Sequence, residues 1–133
     1  MSADKVTYVD SSAIVKLAVR EPESSALRAY LRRRRPWASS SLARTEVLRA
    51  LQPFGTQALR RGEEVLSRFE LVRLSDRLLR AAGTLDPPEL RSLDAIHLAS
   101  AQQFGAELRQ IITYDERMAD TANLLGIKTA APR

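Results

Sequence analysis

Four acidic residues, Asp10, Glu46, Asp94 and Asp115, stand far apart in the chain, each beside a run of apolar residues. Several carboxylates that converge on divalent cations about 3.5–4 Å apart can hydrolyse a phosphodiester. The acids hold the metal, and the metal generates the hydroxide nucleophile and neutralises the charge that builds on phosphorus. This chemistry needs neither a histidine cluster nor a nucleophilic side chain. It suits a chain with no cysteine and one histidine, His97. Thiolate catalysis, disulfides and cysteine-based zinc or iron–sulfur sites are excluded. So is a multi-histidine site. Any metal must be held mainly by oxygen, which selects Mg²⁺ or Mn²⁺ over zinc.

Each acid has a second reading. Asp10 closes the β-branched run Val6-Thr7-Tyr8-Val9, and Asp115 follows Ile111-Ile112-Thr113. Active sites of open parallel sheets form beyond the carboxyl ends of the strands. If these two strands are neighbours, both acids open into one crevice. Aspartate is also common in turns and helix caps. Asp94 lies in Leu93-Asp94-Ala95-Ile96-His97-Leu98-Ala99, where helical spacing stacks it with Leu98 and Ala101 on a face expected to be buried. A buried ionised acid is costly unless paired or metal-bound, although Asp94 also suits the first turn of a helix capped by Ser92. Glu46 falls past the first turn of a helix over 42–51, on a face with Leu42 and Ala50. On its own it reads as a solvated acid assisted by Arg44 or Arg49.

The elements that must position these acids are legible from apolar periodicity and punctuation. Strands are expected at 6–9, 36–39, 69–74, 111–114 and 127–129. Helices are expected after Ser11 or Ser12 as far as Ala18, from Ser24 or Ser25 to the arginine cluster, and over 42–51, 56–67, 76–83, 93–104 and 116–125. Glu21-Pro22-Glu23 breaks the first helix, and Gly105 and Gly126 stop the last two. Strands alternate with helices, which implies an α/β fold with a central parallel sheet covered on both faces. The 133 residues fit one domain spanning 1–133. The last four residues are expected to be frayed.

The pattern resembles the PIN-domain family, and within it the VapC-type toxins of bacterial toxin–antitoxin pairs. The matching stretches are Tyr8-Val9-Asp10-Ser11-Ser12-Ala13-Ile14-Val15-Lys16-Leu17 and Ser41-Leu42-Ala43-Arg44-Thr45-Glu46-Val47. Further on come Leu90-Arg91-Ser92-Leu93-Asp94-Ala95-Ile96-His97-Leu98-Ala99-Ser100-Ala101 and Ile112-Thr113-Tyr114-Asp115-Glu116-Arg117-Met118. The Asp94 stretch is the most specific and the Glu46 stretch the least.

The resemblance implies a three-layer α/β/α sandwich and a Mg²⁺- or Mn²⁺-dependent endoribonuclease neutralised by a cognate antitoxin. It implies Asp10 and Asp94 as main metal ligands, with Asp115 completing the site. Glu46 binds metal through water or orients the attacking water. Ser11 and Thr113 match small polar residues flanking the site, against an ordinary reading as cap and strand residues. Glu116 and Asp120 read as surface acids, and His97 as a packed histidine one turn after Asp94. The opening helices match a region tied to homodimerisation and to antitoxin binding in a toxin–antitoxin hetero-oligomer.

The formal charge is +5, from 21 Lys+Arg against 16 Asp+Glu. This favours an anionic partner such as RNA. Arg32, Arg33, Arg34 and Arg35 form the main basic run. Arg32 and Arg33 are candidates for phosphate contact, or else complement a helix C-terminus. Trp37 reads as core. No stretch reaches the roughly 20 apolar residues of a membrane span, and the N-terminus lacks a signal-peptide pattern, so a cytoplasmic protein is expected.

Two rival classes remain. A phosphoacceptor signalling domain also places acids at strand ends, but needs an acid pair near the first strand and a late lysine, for which Lys128 is the only candidate. A non-catalytic RNA-binding PIN domain would lack acids that are all present here.

Overall fold

The computed structural model describes residues 5–133, so the reading of the extreme N-terminus lies outside the described residues. Five strands form one sheet: β1 (Val6–Val9), β2 (Trp37–Ser40), β3 (Glu70–Val72), β4 (Leu108–Ile112) and β5 (Thr129–Ala130). Their order is β3-β2-β1-β4-β5, and every pairing is parallel. The chain builds outward from β1 on one side, then returns to build outward on the other. The switch point, where an open α/β sheet leaves a crevice, therefore falls between β1 and β4.

Helices α1 (Ser11–Ala18), α2 (Ser24–Arg32), α3 (Leu42–Leu51) and α4 (Thr56–Leu66) cover one face, while α5 (Asp76–Gly83), α6 (Ser92–Gln102) and α7 (Glu116–Leu124) belong to the other. Strand alternation divides the core accordingly. Val9 and Ile112 join Ile14, Leu27, Val47 and Leu66 beneath the first layer. Their chain neighbours Tyr8 and Ile111 turn the other way, onto Leu98, Met118 and Ala122. Helix α5 packs Leu78 and Ala82 on Ala95 and Ala99 of α6. This is the expected three-layer α/β/α sandwich.

Boundaries shift in places that bear on the site. Helix α1 is capped by Asp10 rather than by Ser11 or Ser12: its carboxylate accepts from Ala13 N at 2.9 Å. Ser92 is the first residue of α6 and not its cap, a position held by Arg91 without a side-chain bond. Strand β4 ends at Ile112, so Thr113, not Asp115, leaves the sheet first. The C-terminal residues are tied down: Ala130 is in β5, and Tyr114 Oη donates to Pro132 O at 2.7 Å. The expectation of a frayed end overlooked these partners, which lie far back in the chain. Among the described residues no helix is long and apolar enough to cross a membrane.

Candidate active site

The crevice begins where β1 and β4 end. Asp10 N still donates to Ile112 O at 3.1 Å, so the ladder runs on to Asp10 and fixes its backbone against β4. The Asp10 side chain is 5% exposed. Its Oδ1 accepts from Ala13 N and from Ser12 Oγ at 3.0 Å, and Oδ2 accepts from the Thr113 hydroxyl. Thr113 Oγ1 in turn accepts from Asp115 N at 3.1 Å, coupling the two strand-end acids. Burial pushes the Asp10 carboxyl above its ordinary pKa. Thr113, Ala13, the imidazole of His97 and Ser12 pull against that shift without cancelling it.

Asp94 is half-buried in the first turn of α6. Its pKa is also raised, first by burial and then by the charges of Asp115 and, more weakly, Asp10. His97 and Arg91 oppose this. Asp115 caps α7, its Oδ1 accepting from Arg117 N and Met118 N. Asp94 therefore feels the charges of two acids that lie 21 or more residues away in sequence.

Glu46 belongs to a different bonding group. From α3, its Oε1 accepts from Ser11 Oγ of α1 at 2.6 Å, within the same layer, and from His97 Nε2 of α6, in the opposite layer, at 2.8 Å. It is not the solvated acid assisted by Arg44 or Arg49 that helix position alone suggests, and Arg44 faces Glu63 instead. Burial pushes its pKa up, but the bonds from His97 and Ser11 outweigh this and hold it below the usual range. His97 is buried and satisfied, as a packed histidine should be, yet its partners are site residues: Tyr8 Oη lies 2.7 Å from Nδ1. Sequence reading missed Tyr8 entirely. A tyrosine on a strand face otherwise occupied by Val6, Ala38 and Ile111 was the available signal.

The remaining predicted residues divide. Ser11 and Thr113 touch the acids themselves. Arg32 ends α2 and Arg33 caps it, ahead of β2. They thus stand at the amino ends of the strands, a strand's length from the acids. There Arg28, Arg32, Arg35 and Arg68 line a cleft with Trp37 and Val65. Trp37 is core: it packs on Phe69, and its Nε1 donates to Leu31 O. Glu116 and Asp120 are exposed. Asp120 does line a groove of about 360 Å³ that opens beside Asp94 between Arg91 and Arg117. Lys128 leads into β5 from the amino side, away from Asp10, which removes the lysine that a phosphoacceptor site requires.

The donor set suits a hard divalent cation. Asp10, Asp94 and Asp115 offer carboxylate oxygen, and among the described residues none of the three is held by a lysine or arginine salt bridge. Among the described residues no three such groups close on one point as a finished ligand set. Mg²⁺ commonly binds through one or two carboxylates and keeps its waters, so a partial set fits it.

The fold is a parallel α/β/α sandwich with acids beyond the carboxyl ends of its central strands, and the PIN domain profile matches residues 7–124. The chain belongs to the PIN-domain family, in its VapC-type branch. It is 57% identical over 125 residues to Ribonuclease VapC46 of Mycobacterium tuberculosis (strain ATCC 25618 / H37Rv), covering 94% of this chain and 96% of the relative. Ribonuclease VapC47 of the same species (strain CDC 1551 / Oshkosh) is 36% identical over 130 residues, with the same two coverages. Among solved structures, Mycobacterium tuberculosis VapC20, described as a Sarcin-Ricin loop cleaving toxin, superposes with a TM-score of 0.75 at 16% identity, over 95% of this chain and 99% of that one. A toxin–antitoxin complex from Klebsiella pneumoniae gives 0.74 at 22% identity, over 96% and 98%.

Proposed function

We propose that this chain, taken as one unit over residues 1–133, is a divalent-metal-dependent endoribonuclease and the toxin of a toxin–antitoxin pair. The observation that carries the reading is the half-buried Asp94, whose pKa is raised first by burial and then by the charges of Asp115 and, more weakly, Asp10. Like charges gathered in a crevice need a cation. The relatives with this sequence over nearly its whole length are named ribonucleases. The antitoxin partner, the homodimer and the hetero-oligomer rest on kinship with VapC toxins.

Asp10, Asp94 and Asp115 would hold Mg²⁺ or Mn²⁺. Bound there, such an ion makes a nearby water more acidic and neutralises charge building on the phosphate. The chain's own residues do the rest. Thr113, Ser12 and Ala13 N fix the Asp10 carboxylate, so it meets the ion without first reorganising. Ionised Glu46 accepts a hydrogen bond from the attacking water and turns it toward phosphorus. Arg91 and Arg117 border the groove beside Asp94 and suit flanking phosphates of RNA. Arg32 and Arg33 lie too far off to touch the phosphate being cleaved. They are retained only as contacts to a longer RNA.

The test is cleavage of RNA by purified protein with Mg²⁺ or Mn²⁺. Asp10→Ala, Asp94→Ala and Asp115→Ala should each abolish it with the fold retained, and EDTA should do the same. Full activity in any of these conditions overturns the reading. Growth arrest on expression, relieved by the protein encoded beside it, tests the toxin role.

A further inference from the structure

The chain's single histidine is buried at a junction that the proposed cleavage chemistry does not by itself require. His97 is 4% exposed and Tyr8 is fully buried, on the sheet face covered by α6 and α7. Phenylalanine would fill the place of Tyr8 without bringing a further hydroxyl into a buried layer that already holds Ser39 and Ser100. A buried polar group is costly unless paired. The Tyr8 hydroxyl meets His97 Nδ1, and the far nitrogen of the same ring meets Glu46, which comes from the opposite helix layer. The string thus passes around the carboxyl end of β1 and ends on the acid whose site role rested mostly on resemblance.

The direction of each hydrogen bond follows from what the groups can do. Glu46 is ionised at neutral pH and can only accept, so Nε2 must carry a proton. A neutral ring then has its lone pair on Nδ1 and needs a donor there. A phenol is protonated at neutral pH, so the Tyr8 hydroxyl can donate to Nδ1. Ser11 Oγ, 3.2 Å from Nε2, is a second donor to the same carboxylate oxygen. Among the described residues Oε1 takes both of these bonds and Oε2 takes none.

We propose that His97 is the positioning residue for Glu46: Tyr8 fixes its tautomer, and its Nε2–H, with Ser11, holds Oε1 so that Oε2 faces the attacking water. This rests on the metal-assisted cleavage proposed above. The ring stands beside the crevice, because Ser11, the chain neighbour of Asp10, lies 3.2 Å from its Nε2, and Asp94 is one helical turn before it on α6.

A single histidine makes the test direct. Side-chain ¹⁵N NMR of the metal-free protein at neutral pH should show one neutral Nε2–H tautomer. Tyr8→Phe should replace it with an exchanging mixture. A wild-type ring protonated on Nδ1, alone or together with Nε2, overturns the proposal. In cleavage assays His97→Leu should lower kcat about 10- to 100-fold with KM unchanged. His97→Gln, which keeps an amide donor for Oε1, should recover most of that loss. Equal loss in the two variants, or full activity in His97→Leu, overturns it. The spectrum of the wild-type protein decides the tautomer even if a variant fails to fold. Activity in Asp10→Ala refutes the cleavage reading itself, whereas a dead Asp10→Ala beside a fully active His97→Leu refutes only the role given to His97.

Discussion

The two ends of the sheet are built on opposite principles. At the carboxyl ends, charge is negative, largely sheltered and drawn from four distant stretches, and most of its side chains are held by named donors. At the amino ends, charge is positive, exposed and local in sequence. Arg34 and Arg35 lie over the rings of Tyr30 and Trp37, and Arg68 pairs with Glu64. Exposed contacts of that kind contribute little to stability and demand no fixed geometry. Charge that the fold assembles at a desolvation cost is the charge to which the proposed function assigns chemistry. Charge that is contiguous in sequence provides a field. The contrast is open to attack from either end.

The largest effect should come from the acids. If Asp10 and Asp94 hold the metal as proposed, loss of either removes several kcal/mol of transition-state stabilisation, so cleavage by Asp10→Ala or Asp94→Ala should fall by about 10³-fold or more. Single-turnover assays on a short RNA measure this. A fall of tenfold or less would place the chemistry elsewhere.

Next is the desolvation cost. The Asp10 pKa lies above its ordinary value in the fold, so between those two values the native state binds a proton that the unfolded chain releases. Stability of the metal-free protein is therefore lost as pH rises through the folded value. Asp10→Asn has no such titration. Without metal at neutral pH it should be more stable, with a higher Tm and a flatter pH profile. Added Mn²⁺ should reverse the order, because only the wild type gains the full binding energy. Thermal melts with and without Mn²⁺ check both halves. A less stable Asp10→Asn in EDTA would mean that its bonds to Thr113 and Ala13 outweigh burial.

Much of this architecture is legible in the sequence because it is local. Strand alternation, helix periodicity and glycine stops depend on neighbours within a few residues, and α3 is found at the expected 42–51. The crevice was legible too, once Asp10 and Asp115 were placed at strand ends, since it needed only that β1 and β4 pair. Pair identities across layers were not. Nothing near Glu46 announces His97, 51 residues on, and nothing near Tyr114 announces Pro132. The cap of α1 was missed for a different reason: Asp10, Ser11 and Ser12 can all cap, and only their backbone angles decide.

The arginine end should respond weakly and selectively. A four-residue strand spans about 13 Å, which separates Arg32 and Arg33 from the acids. Arg32→Ala with Arg33→Ala should leave cleavage of a short oligonucleotide within about twofold. Binding of a long RNA should weaken several-fold at low salt, with a shallower salt dependence. If the double variant slows the short substrate as strongly as an acid variant does, the two ends are not functionally separate.

The smallest effect concerns the border of the crevice, where the C-terminal residues come back to the acid end. Tyr114 follows Thr113, and its hydroxyl donates to Pro132 O. Lys16 lies 4.8 Å from the centre of its ring while pairing with Glu21 and Glu23, and Arg133 lies 3.8 Å from Glu23. This border mixes the two styles: a directed bond to backbone beside partly sheltered ion pairs, in which Lys16 meets Glu21 at 3.0 Å and Glu23 at 2.9 Å. The directed bond should account for most of its stability. Tyr114→Phe keeps the ring over Lys16 and removes only the hydroxyl, so it should cost about 0.5–1.5 kcal/mol. Glu23→Gln, which weakens the ion pairs, should cost less than the tyrosine variant. Urea melts of the two variants compare them, and a larger loss in Glu23→Gln would show that the ion pairs hold this border after all.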